Sequence, residues 1–250
     1  MFELDGKRVL VTGASSGIGA RISELFSDCG AIVGIHYHGN EKGATEVLSG
    51  IKENSGKAGL FRGDLLDSSA RSMLVQSFVD KYGGIDVLIN NAGGVYGNAH
   101  FLKMDEDSWN KTFALNVTAP FFLAKNAFSY MQKEGSGKII NISSISAKYG
   151  GSPTTMHYGA AKAALDAITS GLARAGAPYN ILVNSIRGGV IDTPFHEKIT
   201  RDKKILEKRI MLIPLKRMGK PVDIARMALF LASDAGDYIT GEIFTVAGGD

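Results

Sequence analysis

Tyr158 and Lys162 stand four residues apart, so on a helix they share one face and their tips can converge on one ligand. A free phenol titrates near ~10, too high for a good proton donor or acceptor at neutral pH, whereas a nearby ammonium stabilises the phenolate. Each unit of lowering requires roughly 1.4 kcal/mol, which a lysine held in a partly desolvated cleft can supply. The chemistry open to such a pair is acid/base catalysis at a carbonyl or alcohol oxygen. Ser144 closes the apolar run that begins Lys138-Ile139-Ile140, where its hydroxyl can face a crevice. Ser143 competes with it, because side chains alternate along a strand and only one of the two can face the cleft. Asn116 interrupts Phe113-Ala114-Leu115-Asn116-Val117 as a buried polar group in search of a partner.

Those side chains need elements to hold them. Short, β-branched, continuous apolar runs recur at Arg8–Val11, Ala31–Ile35, Ile85–Ile89, Lys138–Ile142, Ile181–Val183 and Ile243–Val246. Strands covered by helices on both faces lose the alternating pattern and read this way. Helix-length segments lie between them at Gly17–Asp28, Asp67–Tyr82, Asp105–Lys133, Tyr158–Ala175 and Pro221–Ser233. The alternation implies one α/β domain over residues 1–250, a doubly wound (Rossmann) parallel sheet of about seven strands with helices on both faces. No internal repeat or linker divides it.

Directly after the first strand comes Thr12-Gly13-Ala14-Ser15-Ser16-Gly17-Ile18-Gly19, and a helix follows. Glycines permit a tight turn and close approach of backbone to phosphates, while the helix start offers free N–H donors and a positive dipole end to a pyrophosphate. A carboxylate at the end of a third strand, Asp64, would sit where such sheets bind ligands; it could equally cap the helix beginning near Asp67.

Taken together, Thr12 to Gly19, Asn90-Asn91-Ala92-Gly93 and Tyr158-Gly159-Ala160-Ala161-Lys162 resemble the short-chain dehydrogenase/reductase family, most nearly its 3-oxoacyl-carrier-protein reductase type. The match continues through Asn116, Ser144, Val183-Asn184 and Ile239-Thr240-Gly241, in the family's order, over essentially the whole chain. The resemblance implies an NAD(P)-dependent oxidoreductase that moves a hydride between a nicotinamide and a ketone/secondary alcohol pair. It implies that Tyr158 is the acid/base, that Lys162 also binds the nicotinamide ribose, that Ser144 steadies the substrate oxygen and that Asn116 supports a proton-relaying water. It places Gly13, Ser15, Ser16, Gly17, Ile18, Gly19, Tyr37, His38, Asp64, Leu65, Asn91, Ala92, Gly93, Gly189, Val190, Ile191 and Thr193 against the dinucleotide. Val95, Tyr96, Tyr149, Phe195 and Met211 would wall the substrate pocket. Residues 192–220 would be a substrate lid, and the helices of Asn116 and Tyr158 would pack across subunits of a homotetramer. Competing readings are a sugar or polyol dehydrogenase of the same family and a silent dinucleotide-binding sensor.

The chain departs from the family pattern in places. Arg187-Gly188-Gly189 replaces the usual Pro-Gly after the sixth strand, and Ala247 stands where an aspartate is common. NAD-preferring relatives carry an acid after the second strand to hold the ribose 2′-hydroxyl. Here Tyr37 occupies that position and His38 follows, so NADP is expected in preference to NAD. Carrier-protein docking in the resembled reductases uses basic residues, but the matching places are Gly135 and Tyr179. A modest-sized ketone, such as a 3-oxoacyl thioester analogue, is therefore expected over a carrier-linked one.

Bulk properties narrow the partners. A net charge of +3 is too small for a nucleic-acid binder, although His196 to Lys220 carries nine Lys/Arg against three Asp/Glu and so could attract an anionic substrate. No run of about eighteen apolar residues would cross a membrane, and the first residues hold no stretch resembling a signal peptide. The lone Cys29, set among Leu25, Phe26 and Ala31, reads as buried and points to a reducing, cytoplasmic setting. His36 and His38 find no third ligand at metal-binding spacing, so no metal is expected, and His157 reads as pocket wall or surface.

Overall fold

The computed structural model describes residues 2–195 and 203–250. Seven parallel strands form one sheet: β1 (Arg8–Val11), β2 (Ile32–Tyr37), β3 (Lys57–Arg62), β4 (Val87–Asn90), β5 (Gly137–Ser144), β6 (Ile181–Gly188) and β7 (Ile243–Val246). Their order is β3-β2-β1-β4-β5-β6-β7, so the chain reverses direction of travel between β1 and β4. Ligands bind in the crevice at such a switch point, outside the carboxyl ends of the strands. The ends of β1, β4 and β5 carry the glycine turn, Asn91 and Ser144.

Helices cover both faces: α1 (Gly17–Asp28), α2 (Glu41–Glu53), α3 (Ser68–Tyr82), α4 (Glu106–Phe113), α5 (Ala119–Glu134), the short α6 (Ser146–Tyr149), α7 (Met156–Gly176), α8 (Lys203–Leu212) and α9 (Pro221–Ala232). Val9, Val11, Ile35, Ile89 and Ile142 pack with Ile22, Phe26 and Ile224 on one side. Leu10, Leu88, Ile139 and Val183 pack with Val75, Phe78 and Leu123 on the other. Successive strand residues thus enter opposite cores, which explains the unbroken apolar runs. Gly34 belongs to this packing, since a Cβ there would stand 2.6 Å from the Phe78 ring.

Strand and helix identities agree with the sequence reading, and the boundaries shift modestly. The strand read at Ile181–Val183 extends to Gly188, and Asp67 caps α3 through Ser69 N–H at 2.9 Å. One expectation needs correction: Asp105 to Lys133 is not a single α-helix. A π-turn, Ala114–Thr118, separates α4 from α5. Pro120 has no N–H to give the Asn116 carbonyl four residues back, so bonding slips to i+5, as in Ala119 N–H to Ala114 C=O. Cys29 is half-buried, not enclosed. Within the basic stretch His196 to Lys220, residues 196–202 lie outside the described residues.

Candidate active site

The glycine turn is built from both sides. Gly13 has φ +62, and a Cβ on it would lie 2.9 Å from Ala92 Cα; a Cβ on Gly19 would lie 2.4 Å from the Gly13 carbonyl oxygen. Only bare backbone fits there. Thr12 Oγ1 accepts the N–H groups of Asn91 and Ala92 at 3.0 Å each, and Asn91 Nδ2 donates to the Thr12 and Gly13 carbonyls at 2.8 and 3.0 Å. The Asn91 side chain thus braces the turn, leaving its backbone and those of Ala92 and Gly93 to border the crevice. Thr193 reaches the same turn, its Cγ2 lying 3.1 Å from where a Gly17 Cβ would be. Ser16 precedes α1 and its hydroxyl makes no cap bond. The cradle and the free N–H groups of the α1 start fit a dinucleotide pyrophosphate.

His36, considered above only as a metal ligand, supports this turn. Its imidazole is buried; Nδ1 accepts Gly13 N–H at 3.1 Å, and Nε2–H donates to the Gly63 carbonyl at 3.1 Å. One neutral ring therefore spaces the β1 turn from the end of β3. Burial pushes its pKa down to about 4, with His38 adding to the lowering and the Gly63 bond and Asp64 opposing it. In the unfolded chain the ring takes up a proton near ~6.5, so below that pH the unfolded state binds more protons. Stability is then expected to fall as pH drops from about 6.5 towards 4, by on the order of 3 kcal/mol. Urea midpoints measured across that range should show the slope, and His36→Gln should flatten it; an unchanged slope would remove His36 from the account.

Residues assigned to the adenosine side fall into two groups. His38 is exposed, and its Nε2 lies 3.9 Å from Asp64 Oδ2. Asp64 Oδ1 accepts Leu66 N–H at 2.9 Å, so it closes a local turn and is not the α3 cap. Tyr37 and Leu65, by contrast, send their side chains into the two cores, leaving only backbone for a nucleotide. Gly189 packs on Ala247, whose Cα is 2.7 Å from the place a Gly189 Cβ would take. Val190 and Ile191 are buried beside it.

Helix α7 presents Tyr158 and Lys162 to the ends of β5 and β4. Ser144 hydrogen-bonds the phenol and accepts Ser146 N–H at 3.1 Å, whereas Ser143 Oγ turns under the helix to the Lys162 carbonyl at 3.4 Å. Register therefore decides between the two serines in favour of Ser144. Burial pushes the Tyr158 pKa up to about 12, against a smaller lowering by Ser144. The expected lowering by Lys162 is absent from this geometry. Lys162 is buried, its Nζ donates to the Ile142 carbonyl at 2.8 Å, and burial drives its own pKa down to about 8. Desolvation is the largest influence on both groups, opposed by the Ser144 bond at the phenol and by the Asp166 charge at the lysine.

Beneath α7 lies a polar strip that sequence reading did not identify. Asp166, one turn beyond Lys162, accepts from Ser185 Oγ at 2.9 Å and Arg187 Nε at 2.8 Å, and its charge holds the Lys162 pKa up against burial. Thr169 and Asn141 continue the strip at 2.9 Å. The Arg187 departure noted in the sequence is thus half of an ion pair; spacing along β6 gives no hint of a partner on α7.

Asn116 sits in the π-turn. Its Nδ2 donates to the Gly94 and Thr112 carbonyls at 2.7 and 2.8 Å, and Oδ1 accepts Gly94 N–H at 3.3 Å. A Cβ on Gly93 would approach Asn116 Oδ1 at 2.8 Å and Lys162 Nζ at 3.2 Å, so the three meet at the cleft floor. On the substrate side, Phe195 lies against the Tyr158 ring, centroids 5.8 Å apart, and Val95 and Tyr96 are half-buried. Tyr149 and Met211 are 54% and 60% exposed and close no wall. His157, read as wall or surface, is buried, with Nε2–H donating to the Tyr96 carbonyl at 2.8 Å. No cluster of metal-binding side chains occurs among the described residues.

The family model described as enoyl-(acyl carrier protein) reductase matches residues 13–250. The chain is 38% identical over 246 residues to a 3-oxoacyl-[acyl-carrier-protein] reductase of Chlamydia pneumoniae, covering 98% of this chain and 97% of that protein. It is 34% identical to glucose 1-dehydrogenase 2 of Bacillus subtilis, over 99% and 95% of the two chains. Among solved structures, a 7α-hydroxysteroid dehydrogenase complexed with NADH and 7-oxo glycochenodeoxycholic acid superposes with a TM-score of 0.92 at 33% identity, covering 99% of this chain and 95% of that one.

Proposed function

This chain belongs to the short-chain dehydrogenase/reductase family and is an NAD(P)-dependent oxidoreductase; from that premise we propose that it reduces a modest-sized ketone, with Tyr158 as proton donor. The observation that carries this reading is the meeting of Tyr158, Ser144 and Lys162 at the switch-point end of the sheet. A bound nicotinamide supplies the hydride. Ser144 and the Tyr158 hydroxyl hold the carbonyl oxygen, and Tyr158 gives it a proton as charge develops there. Lys162, whose ammonium lies 5.7 Å from the centre of the Tyr158 ring and donates to the Ile142 carbonyl, would hold the ribose hydroxyls and favour the phenolate. Asn116 keeps the Gly94 loop against the π-turn, which fixes one side of the cleft.

NADPH is the proposed reductant. A cavity of about 460 Å³ beside the glycine turn is lined by Ser15, Ser16, Asn40 and Lys42 together with Glu24 and Glu46, and Lys42 Nζ lies 3.9 Å from Glu46 Oε1. Hydroxyls, an amide and an ammonium near the start of α1 suit a ribose 2′-phosphate. The substrate reading follows from Gly135 and Tyr179, which offer no positive charge to a carrier protein. The lid reading for residues 192–220 is supported at its base, where Asp192 N–H donates to Gly219 C=O at 2.8 Å and Gly219 N–H to Val190 C=O at 2.9 Å.

One panel tests the cofactor and substrate readings. Absorbance loss with ketones and acetoacetyl thioesters, free or carrier-linked, is to be followed with NADPH and NADH at two salt concentrations. Turnover of free thioester or ketone with a lower Kd for NADPH is expected, and Lys42→Glu should weaken NADPH alone. Equal or tighter NADH binding would overturn the cofactor proposal. A strong, salt-sensitive preference for the carrier-linked substrate would overturn the substrate one.

A homotetramer is proposed on the exposed small residues Ala163, Ala167 and Gly171 of α7, which allow close helix contact, and on the exposed Trp109, Phe121 and Phe122 of α4 and α5. Light scattering at micromolar concentration should give four times the chain mass; the mass of one chain would refute it. No helix among the described residues is long and apolar enough to cross a membrane. A cytoplasmic location is proposed from the single cysteine.

A further inference from the structure

We propose that Asp166 is a positioning residue for Lys162, keeping its ammonium charged at the floor of the cleft, and that Arg187 on β6 sets how strongly it does so. The proposal rests on the reading of Lys162 as the group that meets the ribose and favours the phenolate.

Lys162 and Asp166 stand four residues apart on α7, so both side chains leave the same face of the helix. That face lies against the sheet, and each residue is only 3% exposed. The Lys162 ammonium donates to the Ile142 carbonyl at 2.8 Å. One carbonyl dipole replaces little of the water that a buried ammonium gives up, so the proton is held loosely unless a negative charge stands near. Asp166 is that charge, and it acts through an interior of low dielectric, where charges are felt more strongly than in water.

No other acid faces Lys162 among the described residues. On α7 itself, Tyr158 keeps its proton, its pKa pushed up to about 12 by burial, and His157 turns away to the Tyr96 carbonyl. The π-turn offers the Asn116 amide, and β5 offers Asn141 and Ser143, none of which is charged. The charged residues of α4, α5 and α6 are all exposed, and Lys138 on β5 is paired with Asp237. The second charge comes from β6. Arg187 Nε donates to Asp166 at 2.8 Å, beside the Ser185 hydroxyl at 2.9 Å.

Lys162, Asp166 and Arg187 thus run plus, minus, plus from the cleft floor to β6. The Arg187 charge cancels part of the field that Asp166 sets up at Lys162, so the two act on the lysine with opposite sign. Removing the Asp166 charge loosens the Lys162 proton, whereas removing the Arg187 charge tightens it. A strip that served packing alone would show no such opposition.

The test uses the full-length protein without nicotinamide, its lysines isotope-labelled at Cε and titrated by NMR, with Lys162 assigned as the resonance missing from Lys162→Arg. The wild-type midpoint is expected at about 8. Asp166→Asn, which keeps the shape and an acceptor oxygen, should bring it down by about one pH unit, and Arg187→Met, which keeps the stem, should move it up. Titrations with NADPH follow. At pH 8 its Kd should rise about fivefold in Asp166→Asn, and at pH 6, where both proteins hold the ammonium, by less than about twofold. If Asp166→Asn does not fold, Arg187→Met decides alone, a raised midpoint supporting the proposal and an unmoved or lowered one overturning it. Midpoints that move the same way in both variants, or in neither, would also overturn it. Midpoints that move apart while the Kd ignores them would uphold the charge proposal and overturn the ribose reading of Lys162.

Discussion

Tyr158→Phe is expected to lower kcat by between about a hundredfold and ten-thousandfold while leaving NADPH affinity within a few-fold, because the variant keeps the ring and loses only the hydroxyl that carries the proton. The ring packs against Phe195 at 5.8 Å between centroids, and that contact survives the change. Ser144 remains to hold the carbonyl oxygen, but it has no comparable route for delivering a proton. Loss of the hydroxyl also leaves Ser144 with one bond fewer, a minor effect at a half-buried position. Single-turnover hydride transfer measured beside cofactor titrations separates the two quantities. Turnover near the wild-type level would take Tyr158 out of the mechanism.

Lys162→Ala should fail in both respects, with kcat falling about a hundredfold or more and the Kd for NADPH rising at least about tenfold. The ammonium is asked to do two things, bind ribose and lower the cost of phenolate, and Ala does neither. An unchanged Kd would contradict the ribose role even if kcat fell. The pKa of about 8 gives the wild-type enzyme an additional signature. Above that pH the free enzyme loses the ammonium, so kcat/KM for the dinucleotide should decline on the alkaline side near 8. Stability moves the other way. Between about 8 and 10.5 the unfolded chain holds a proton that the folded lysine has released, so unfolding free energy should rise with pH across that window. Tyr158, raised from 10.0 to about 12, works in the opposite sense at higher pH, since there the folded phenol keeps a proton that the unfolded one has lost. Lys162→Ala should remove the first slope and leave the second.

Much of the site was legible because its spacing is local. Tyr158 and Lys162 face one way on any helix, and Gly13, Gly17 and Gly19 read as a phosphate turn because a strand precedes and a helix follows. The residues whose role stayed hidden are those that depend on a distant partner. His36 and His157 each stand on an ordinary element, and nothing near them in sequence announces Gly63 or Tyr96 as the group they bond. Asn91 matches a family motif, yet its amide braces the glycine turn 78 residues away. Tyr37 holds the place of a ribose-binding acid, but the apolar layer between β2, α1 and α2 takes its side chain inward.

The sequence by itself determined the order of strands and helices along the chain, the position of the glycine turn and the pairing of tyrosine with lysine, because each follows from steric and hydrogen-bonding rules acting over a few residues. Even the π-turn was latent in it, since Pro120 withholds an N–H wherever the helix lies. Only the tertiary structure decided that Ser144 and not Ser143 meets the phenol, that Asp166 faces Arg187, and that burial moves Tyr158 up and Lys162 down in pKa. Those outcomes depend on how much water each group loses and on which charges face it across the sheet. Both are set by residues brought together from separate strands and helices, so no local pattern could encode them.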